Sequence, residues 1–512
     1  MQIHHIPRLH TWVPIVVGPF TGAFLLIWIL PSFLLGFLLM WIAYLVPLGL
    51  YIFAYRNPRV EQHVRLLTPG HLRFWLAEKL QLLGIRMAAE APAAHETGPD
   101  LQLLAVSAAD PQENQARLIT ARQLPGYTPV RTLLDHALGY RAAAVMLDYG
   151  ESVAVRYLID GVWLSTAAQS REIGDQLLEV LKTVAGLDAD QPTPTLGGRL
   201  AMQSEAEQIP ITMTWQTTAG GQRVLLQFQL RPAQFNTLQD LGMTSTQEAE
   251  LQEILAGDRG ILLFSALPSG GLSTTLERSV MQIDRLLRDC VSVEDGGAPY
   301  PELTSVDVKT YDRAAGQTPA SILPSVGRAQ PDLIICRDLV DAESVALLCQ
   351  QAIEERRIIT TIQARDSVEA LLRVLMLKVP RERFAQAIQA VLHQRLIRKL
   401  CEPCREAYTP QPQLLAKLGL NPAQVPQLYR PPAEPEKVCS HCNGLGYYGR
   451  TAIFELLRVD DQMRKILKVK PELELLRKAA RQAGLRSEQQ HGILKVAQGI
   501  TSLEELQRVL KT

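Results

Sequence analysis

ILLFSALPSGGLSTTL, residues 261–276, passes from an apolar run (Ile261 to Phe264) into a small, Gly-rich turn (Ser265 to Gly271), and Ser273 to Thr275 then open a helix. Strand, loop and helix in that order form a phosphate-binding loop, in which backbone N–H groups and a helix N-terminus face anionic oxygens. Gly270 and Gly271 suit the close backbone approach this needs, and Ser269, Leu272, Ser273 and Thr274 complete the cradle. The usual pattern is G-x-x-x-x-G-K-[ST]. Here Ala266 stands at the first Gly and Leu272 at the Lys, so the cradle is retained and its charge is lost. A strand-to-helix connection without a ligand is the alternative reading of these sixteen residues.

The surrounding residues read as an α/β unit over about 235–400. Ser245 with Glu248 predicts a capping box for a helix ending near Leu255. Strands are expected around 290–294, 305–308, 332–336 and 358–362, with helices between them. That alternation implies a mostly parallel sheet, which binds ligands at the carboxyl ends of its strands, where loop 265–271 lies. A smaller α/β unit is expected over 119–234. It has a helix over 129–144, strands 144–148 and 152–159, a helix near 171–186, and a hairpin pairing Val224, Leu226 and Phe228 with Met213 and Trp215.

Thr11 to Tyr55 contains no charged residue and no histidine. One bilayer crossing takes about 20 residues, so a transmembrane hairpin is expected in residues 1–56, with helices 12–30 and 33–54 turning at Pro31-Ser32. Arg8 before it and Arg56, Arg59 and Arg65 after it place both ends in the cytoplasm. Residues 57–118 read as an amphipathic helical segment followed by an Ala-, Pro- and acid-rich linker over 89–116.

Cys401, Cys404, Cys439 and Cys442 form two C-x-x-C pairs within residues 401–450. Each short loop sets two thiolates on one side of a tetrahedral Zn²⁺, and four thiolates leave no position for water, so the zinc is structural. A polar helical segment follows, over 451–512. With 52 basic and 52 acidic residues in a 512-residue chain, bulk nucleic-acid affinity is not expected.

Several motifs in fixed order resemble one family, the secretion ATPases of type II secretion and type IV pilus assembly (the protein E family), over about residues 119–512. VRYLIDGVW (155–163) and VLKTVAGLD (180–188) resemble elements of its N-terminal domain. SVEDGG (292–297) resembles its Asp box, QPDLIICRDLVD (330–341) its Walker B element, and ITTIQARD (359–366) its His box. The cysteine pairs with GYYGRTAIFELL (446–457), and GITSLEEL (499–506), resemble its zinc module and C-terminal helix. The resemblance implies a PAS-like domain, a RecA-like P-loop ATPase domain, ATP with Mg²⁺ held by Ser273, and a hexameric ring serving an inner-membrane platform protein. It also implies that Arg156 and Arg199 reach the nucleotide, and that Glu294 and Asp338 carry the acidic chemistry.

The departures fall where that chemistry belongs. Besides Leu272, Asp338 replaces the Walker B Glu, Arg337 and Val340 replace its flanking Gly and Arg, and Gln363 replaces the His. An apolar Leu beside triphosphate forfeits a charge-assisted contact worth about 1.5–3 kcal/mol. The expectation is a membrane-anchored pseudo-ATPase that scaffolds or regulates a secretion or pilus machine, with an active ATP-hydrolysing motor as the alternative.

Overall fold

A computed structural model describes residues 32–50, 99, 101–187, 195–204, 207–218, 221–230, 234–298, 300–354, 356–433 and 438–511. Of the expected hairpin it describes one helix, α1 (Phe33–Leu50), of 18 residues without a charge. At 1.5 Å per residue the described part of α1 spans about 27 Å. Among the described residues no helix is long and apolar enough to cross a membrane. The expected helix over 12–30 and the end of its partner lie outside the described residues.

The chain divides into two units at Leu230/Arg231. The first contains β1 (Gln102–Ala105), α2 (Pro111–Gln123), α3 (Tyr127–Gly139), β2 (Ala144–Tyr149), β3 (Val153–Ile159), β4 (Val162–Ser165), α4 (Arg171–Ala185), β5 (Thr195–Ser204), β6 (Glu207–Thr218) and β7 (Gly221–Phe228). The strands form one antiparallel sheet in the order β1-β5-β6-β7-β2-β3-β4. Strand β3 shows why: Val153, Val155, Tyr157 and Ile159 are buried while Ala154, Arg156 and Leu158 turn to the other face. Helix α4 is capped by Ser170, ends at Gly186, and buries Leu177, Leu181 and Val184. Residues 101–118 are not linker, because β1 pairs with β5 and α2 starts at an Asp110 cap followed by Pro111.

The second unit begins with α5 (Ser245–Ala256), whose capping box is Thr244 with Gln247. The expected Ser245–Glu248 box is displaced by one residue because Thr244 is the extended residue and Ser245 already lies inside the helix. Then follow β8 (Gly260–Ala266), α6 (Leu272–Met281), β9 (Cys290–Asp295), β10 (Asp307–Tyr311), α7 (Leu323–Ala329), β11 (Leu333–Cys336), α8 (Ala342–Ile353), β12 (Arg357–Gln363), α9 (Ser367–Met376), α10 (Arg381–Ala387) and β13 (Ile388–Leu400). Beyond the cysteine segment come β16 (Tyr447–Arg458), α12 (Asp461–Val469), α13 (Leu473–Gln482), α14 (Glu488–Ala497) and α15 (Leu503–Lys511). That segment carries β14 (Glu406–Tyr408), α11 (Pro412–Leu418) and β15 (Leu428–Arg430).

The sheet order is β10-β9-β11-β12-β8-β13-β16, parallel up to β13, with β16 antiparallel to it. The sheet therefore runs past the expected limit at residue 400, and the cysteine segment is an insertion between two paired strands. The whole of β8 is buried, as both faces are covered. Leu262 and Phe264 meet Leu255, Leu276 and Val280 of α5 and α6 on one face. On the other, Ile261 and Leu263 join Leu348, Leu371, Met463 and Leu476 of α8, α9, α12 and α13.

Candidate functional site

The parallel strands bring loop 267–271, Glu294, Asp338 and Gln363 to one edge of the sheet, since each follows or ends β8, β9, β11 or β12. The loop keeps a phosphate-loop backbone, with Ser269 at φ 60° and Gly271 at φ 79°, left-handed just before α6. A Cβ on Gly270 would lie 2.8 Å from the Leu267 carbonyl oxygen and 2.9 Å from Ala266 Cβ. The Gly270 N–H donates to that carbonyl at 2.9 Å. Its own carbonyl accepts from Gln394 Nε2 at 2.6 Å, with Gln394 buried. Ser273 is exposed, and Thr274 is half-buried. Leu272, at the lysine position, is half-buried and packs against the apolar core between the sheet and α5 and α6. This loop has the backbone of an anion cradle, one of whose N–H groups is spent internally, and an apolar side chain where the cation belongs.

The acidic residues already have partners. Arg337, 3% exposed, sets its Nε 2.9 Å from Glu294 Oε1 and its guanidinium 4.8 Å from the Tyr300 ring centroid. Ser292 Oγ also donates to Glu294 Oε1, at 2.5 Å. Tyr300 OH donates to Asp338 Oδ2 at 2.7 Å. Burial, followed by the hydrogen bond to Asp338, pushes the Tyr300 hydroxyl well above its usual range, so it remains a donor. Arg337 thus supplies the charge that neutralises Glu294. Gln363 is exposed at the end of β12, opposite Ala266 in register. Gln394, Tyr300 and the role of Arg337 were not read from sequence. Gln394 lies 124 residues from Gly270, and Arg337 lies 43 from Glu294, so no local pattern signals either.

In the first unit Arg156 is half-buried and paired with Asp148, which also accepts from Arg223 Nε at 2.6 Å. Desolvation opposes ionisation of Asp148, but the hydrogen bonds from Arg223 and Arg156 outweigh it and hold the carboxyl below its usual range. Arg199 is exposed within β5, opposite Thr212.

The four cysteines meet. Their sulfurs lie within 4.8 Å of one another, with Cys401 to Cys439 at 3.9 Å and Cys404 to Cys442 at 3.7 Å. A tetrahedral zinc with Zn–S of about 2.3 Å requires sulfurs about 3.8 Å apart, so these residues fit the ion. The Gly446 N–H points at Cys442 Sγ, 3.3 Å away, as a supporting contact to a thiolate. The backbone N–H groups of Cys442 and His441 bring the Cys439 thiol down to about 7, whereas burial pushes Cys401 up to about 11. Full ionisation of the set calls for a cation, which zinc provides when bound.

A mostly parallel sheet with a phosphate-loop corner defines an α/β protein of P-loop ATPase architecture carrying a tetracysteine insertion. Residues 125–508 match the Type II/IV secretion system protein family. The chain belongs to that family. It is 26% identical over 419 residues to the type II secretion system protein E of Pseudomonas aeruginosa, covering 82% of each chain. It is 27% identical over 414 residues to the protein transport protein HofB homolog of Escherichia coli, covering 80% of this chain and 84% of the other. The solved ATPase DotB of Yersinia pseudotuberculosis shares the fold, with a TM-score of 0.51 at 11% identity over 75% of this chain and 93% of that one.

Proposed function

We propose that this chain is a non-hydrolysing member of its family, anchored in the bacterial inner membrane through residues 11–55 with its larger portion in the cytoplasm. There it scaffolds or regulates a secretion or pilus assembly machine, as part of a homo-oligomer and against an inner-membrane platform protein. The observation that carries this reading is the packing of a half-buried Leu272 against the apolar core at the position where phosphoryl transfer needs a cation. The pairing of Glu294 with Arg337 supports it, because a carboxylate neutralised by a buried guanidinium is a poor base for water. Zinc keeps its structural part, held by Cys401, Cys404, Cys439 and Cys442.

The test is equilibrium binding of a fluorescent ATP analogue with Mg²⁺ to the full chain and to Leu272→Lys, alongside phosphate release. The expected outcome is no saturable binding to the wild type. Leu272→Lys is expected to gain binding of at least tenfold, in line with a charge-assisted contact of about 1.5–3 kcal/mol, without turnover. Micromolar binding and steady phosphate release by the unmodified chain would overturn the reading in favour of an active motor.

A further inference from the structure

At the carboxyl edge of the large sheet an open cleft of about 1030 Å³ is bounded by the ends of β11 and β12 and by α9, α13 and α15. Asp338 and Gln363 of the candidate site lie on its lining, whereas no residue of loop 267–271 or of α6 does. Its floor is apolar: Leu339, Ile362, Leu372, Leu377 and Leu473 are half-buried, packed below against the core on the sheet face opposite α6. Met376 stands 78% exposed on the same lining.

The walls are cationic, with six Arg and Lys side chains against three carboxylates. Three of the cations are engaged. Arg373 pairs with Glu369 at 2.8 Å, Arg477 with Asp366 at 2.7 Å, and Arg395 with Glu488 at 2.9 Å. The third carboxylate, Asp338, is occupied by Tyr300. Arg313, Arg365 and Lys511 are exposed, and among the described residues none of the three side chains pairs with a carboxylate, although the Arg365 backbone N–H donates to Glu369 Oε2 at 3.0 Å. Six cations against these three carboxylates and Glu488 leave a surplus of positive charge around an apolar floor, which calls for a ligand that is both acidic and apolar.

A compact phosphate ligand matches this less well, since the spare cations are exposed on three separate segments and the floor offers it nothing. The volume stands at the upper end of small-molecule pockets, which run to roughly 1,000 Å³. An amphipathic peptide satisfies both features, with apolar anchors on the floor and carboxylates toward the rim. We propose that this cleft docks an acidic, amphipathic segment of a partner protein. Because Asp338 and Gln363 also line the cleft, the proposal rests on the reading of this sheet edge as non-hydrolysing.

The test is fluorescence anisotropy of the full chain with a labelled 14-residue peptide carrying Leu at helical spacing and Glu between. Two sister peptides carry Gln for every Glu, or Ser for every Leu. Saturable micromolar binding of the Glu/Leu peptide is expected, at least tenfold weaker for either sister and weakened by salt. The Arg313→Glu/Arg365→Glu double variant should lose at least tenfold, while Lys417→Glu, an exposed charge on α11, leaves binding unchanged. Absence of saturable binding, or equal loss in Lys417→Glu, would overturn the proposal. So would displacement of the peptide by micromolar tripolyphosphate together with tight binding of the Ser peptide, which would mark a small-anion site. A double variant that dissociates an oligomer yet binds peptide normally would assign the cleft to a second copy of the chain, and would equally overturn it.

Discussion

The tetracysteine cluster and the P-loop corner sit in one unit, and they differ in what their residues still offer a ligand. At the cysteines all four sulfurs converge within 4.8 Å, with two of their separations, 3.7 and 3.9 Å, at the spacing zinc requires. At the corner the backbone turn is intact while the lysine position is apolar and the nearby carboxylates are taken by Arg337 and Tyr300. The physical reason lies in what holds each region together. Loop 267–271 hangs between a fully buried strand and a helix that packs on the sheet, so its shape survives without a bound anion. Among its described residues the cysteine insertion has a two-stranded ribbon and one short helix of its own, so the ligands hold much of its structure.

Metal removal tests this contrast with the largest effect. Structural zinc in small modules contributes about 10–16 kcal/mol of apparent binding energy at neutral pH. Cys401→Ser with Cys439→Ser is expected to abolish the bound zinc found by elemental analysis and to open residues 402–446 to protease, leaving β8 and β13 protected. If the segment stays resistant without metal, then the cluster of Leu415, Leu428 and Val496 holds it and the contrast fails.

Arg337 tests the other side. Arg337→Ala leaves the 12%-exposed Glu294 side chain without its counter-charge, and breaking a buried pair by removing one partner costs about 3–5 kcal/mol. Hydrogen exchange at β9 and β11 should accelerate accordingly. Adding Glu294→Gln should recover most of the loss. Unchanged exchange in Arg337→Ala would mean that the pair is solvated and that Glu294 is available for other chemistry.

The apolar runs that became β8, β9, β11 and β12 were legible in the sequence because strands buried on both faces are apolar throughout. The C-x-x-C pairs were legible because their geometry is local. Strand β1 was not, since four residues in an acidic, Ala-rich region become a strand only by pairing with β5 about a hundred residues later. Gly197-Gly198 gave no local sign that Arg199 lies within a strand. Gly198 is needed because a Cβ there would lie 2.8 Å from Ala185 Cβ, where β5 passes α4. Likewise β16 pairs with β13 across the inserted cysteines, so a boundary drawn at a change of composition cut through a continuous sheet.

A smaller effect is expected at β16, which joins the sheet to the helices after the insertion. His491 on α14 is 2% exposed and its Nδ1 accepts from the Phe454 N–H at 2.9 Å. Burial, then the nearby Lys495 charge, brings the imidazole down to about 4. An imidazole in the unfolded chain titrates near 6.5, so between about pH 6.5 and 4 the unfolded state binds the extra proton. Stability is then full above pH 6.5 and falls as the solution is acidified through that window, by about 2 kcal/mol at pH 5. His491→Asn, which keeps an acceptor of similar reach but no titrating ring, should flatten the pH dependence of the second unit's unfolding midpoint over this window. If acid weakens β16 while zinc is retained, the two regions melt separately and the insertion is stable without its sheet neighbour. If zinc is released together with unfolding of β16, the contrast narrows, because the cysteine site then depends on the same buried strand pair, β13 and β16, that flanks it in sequence.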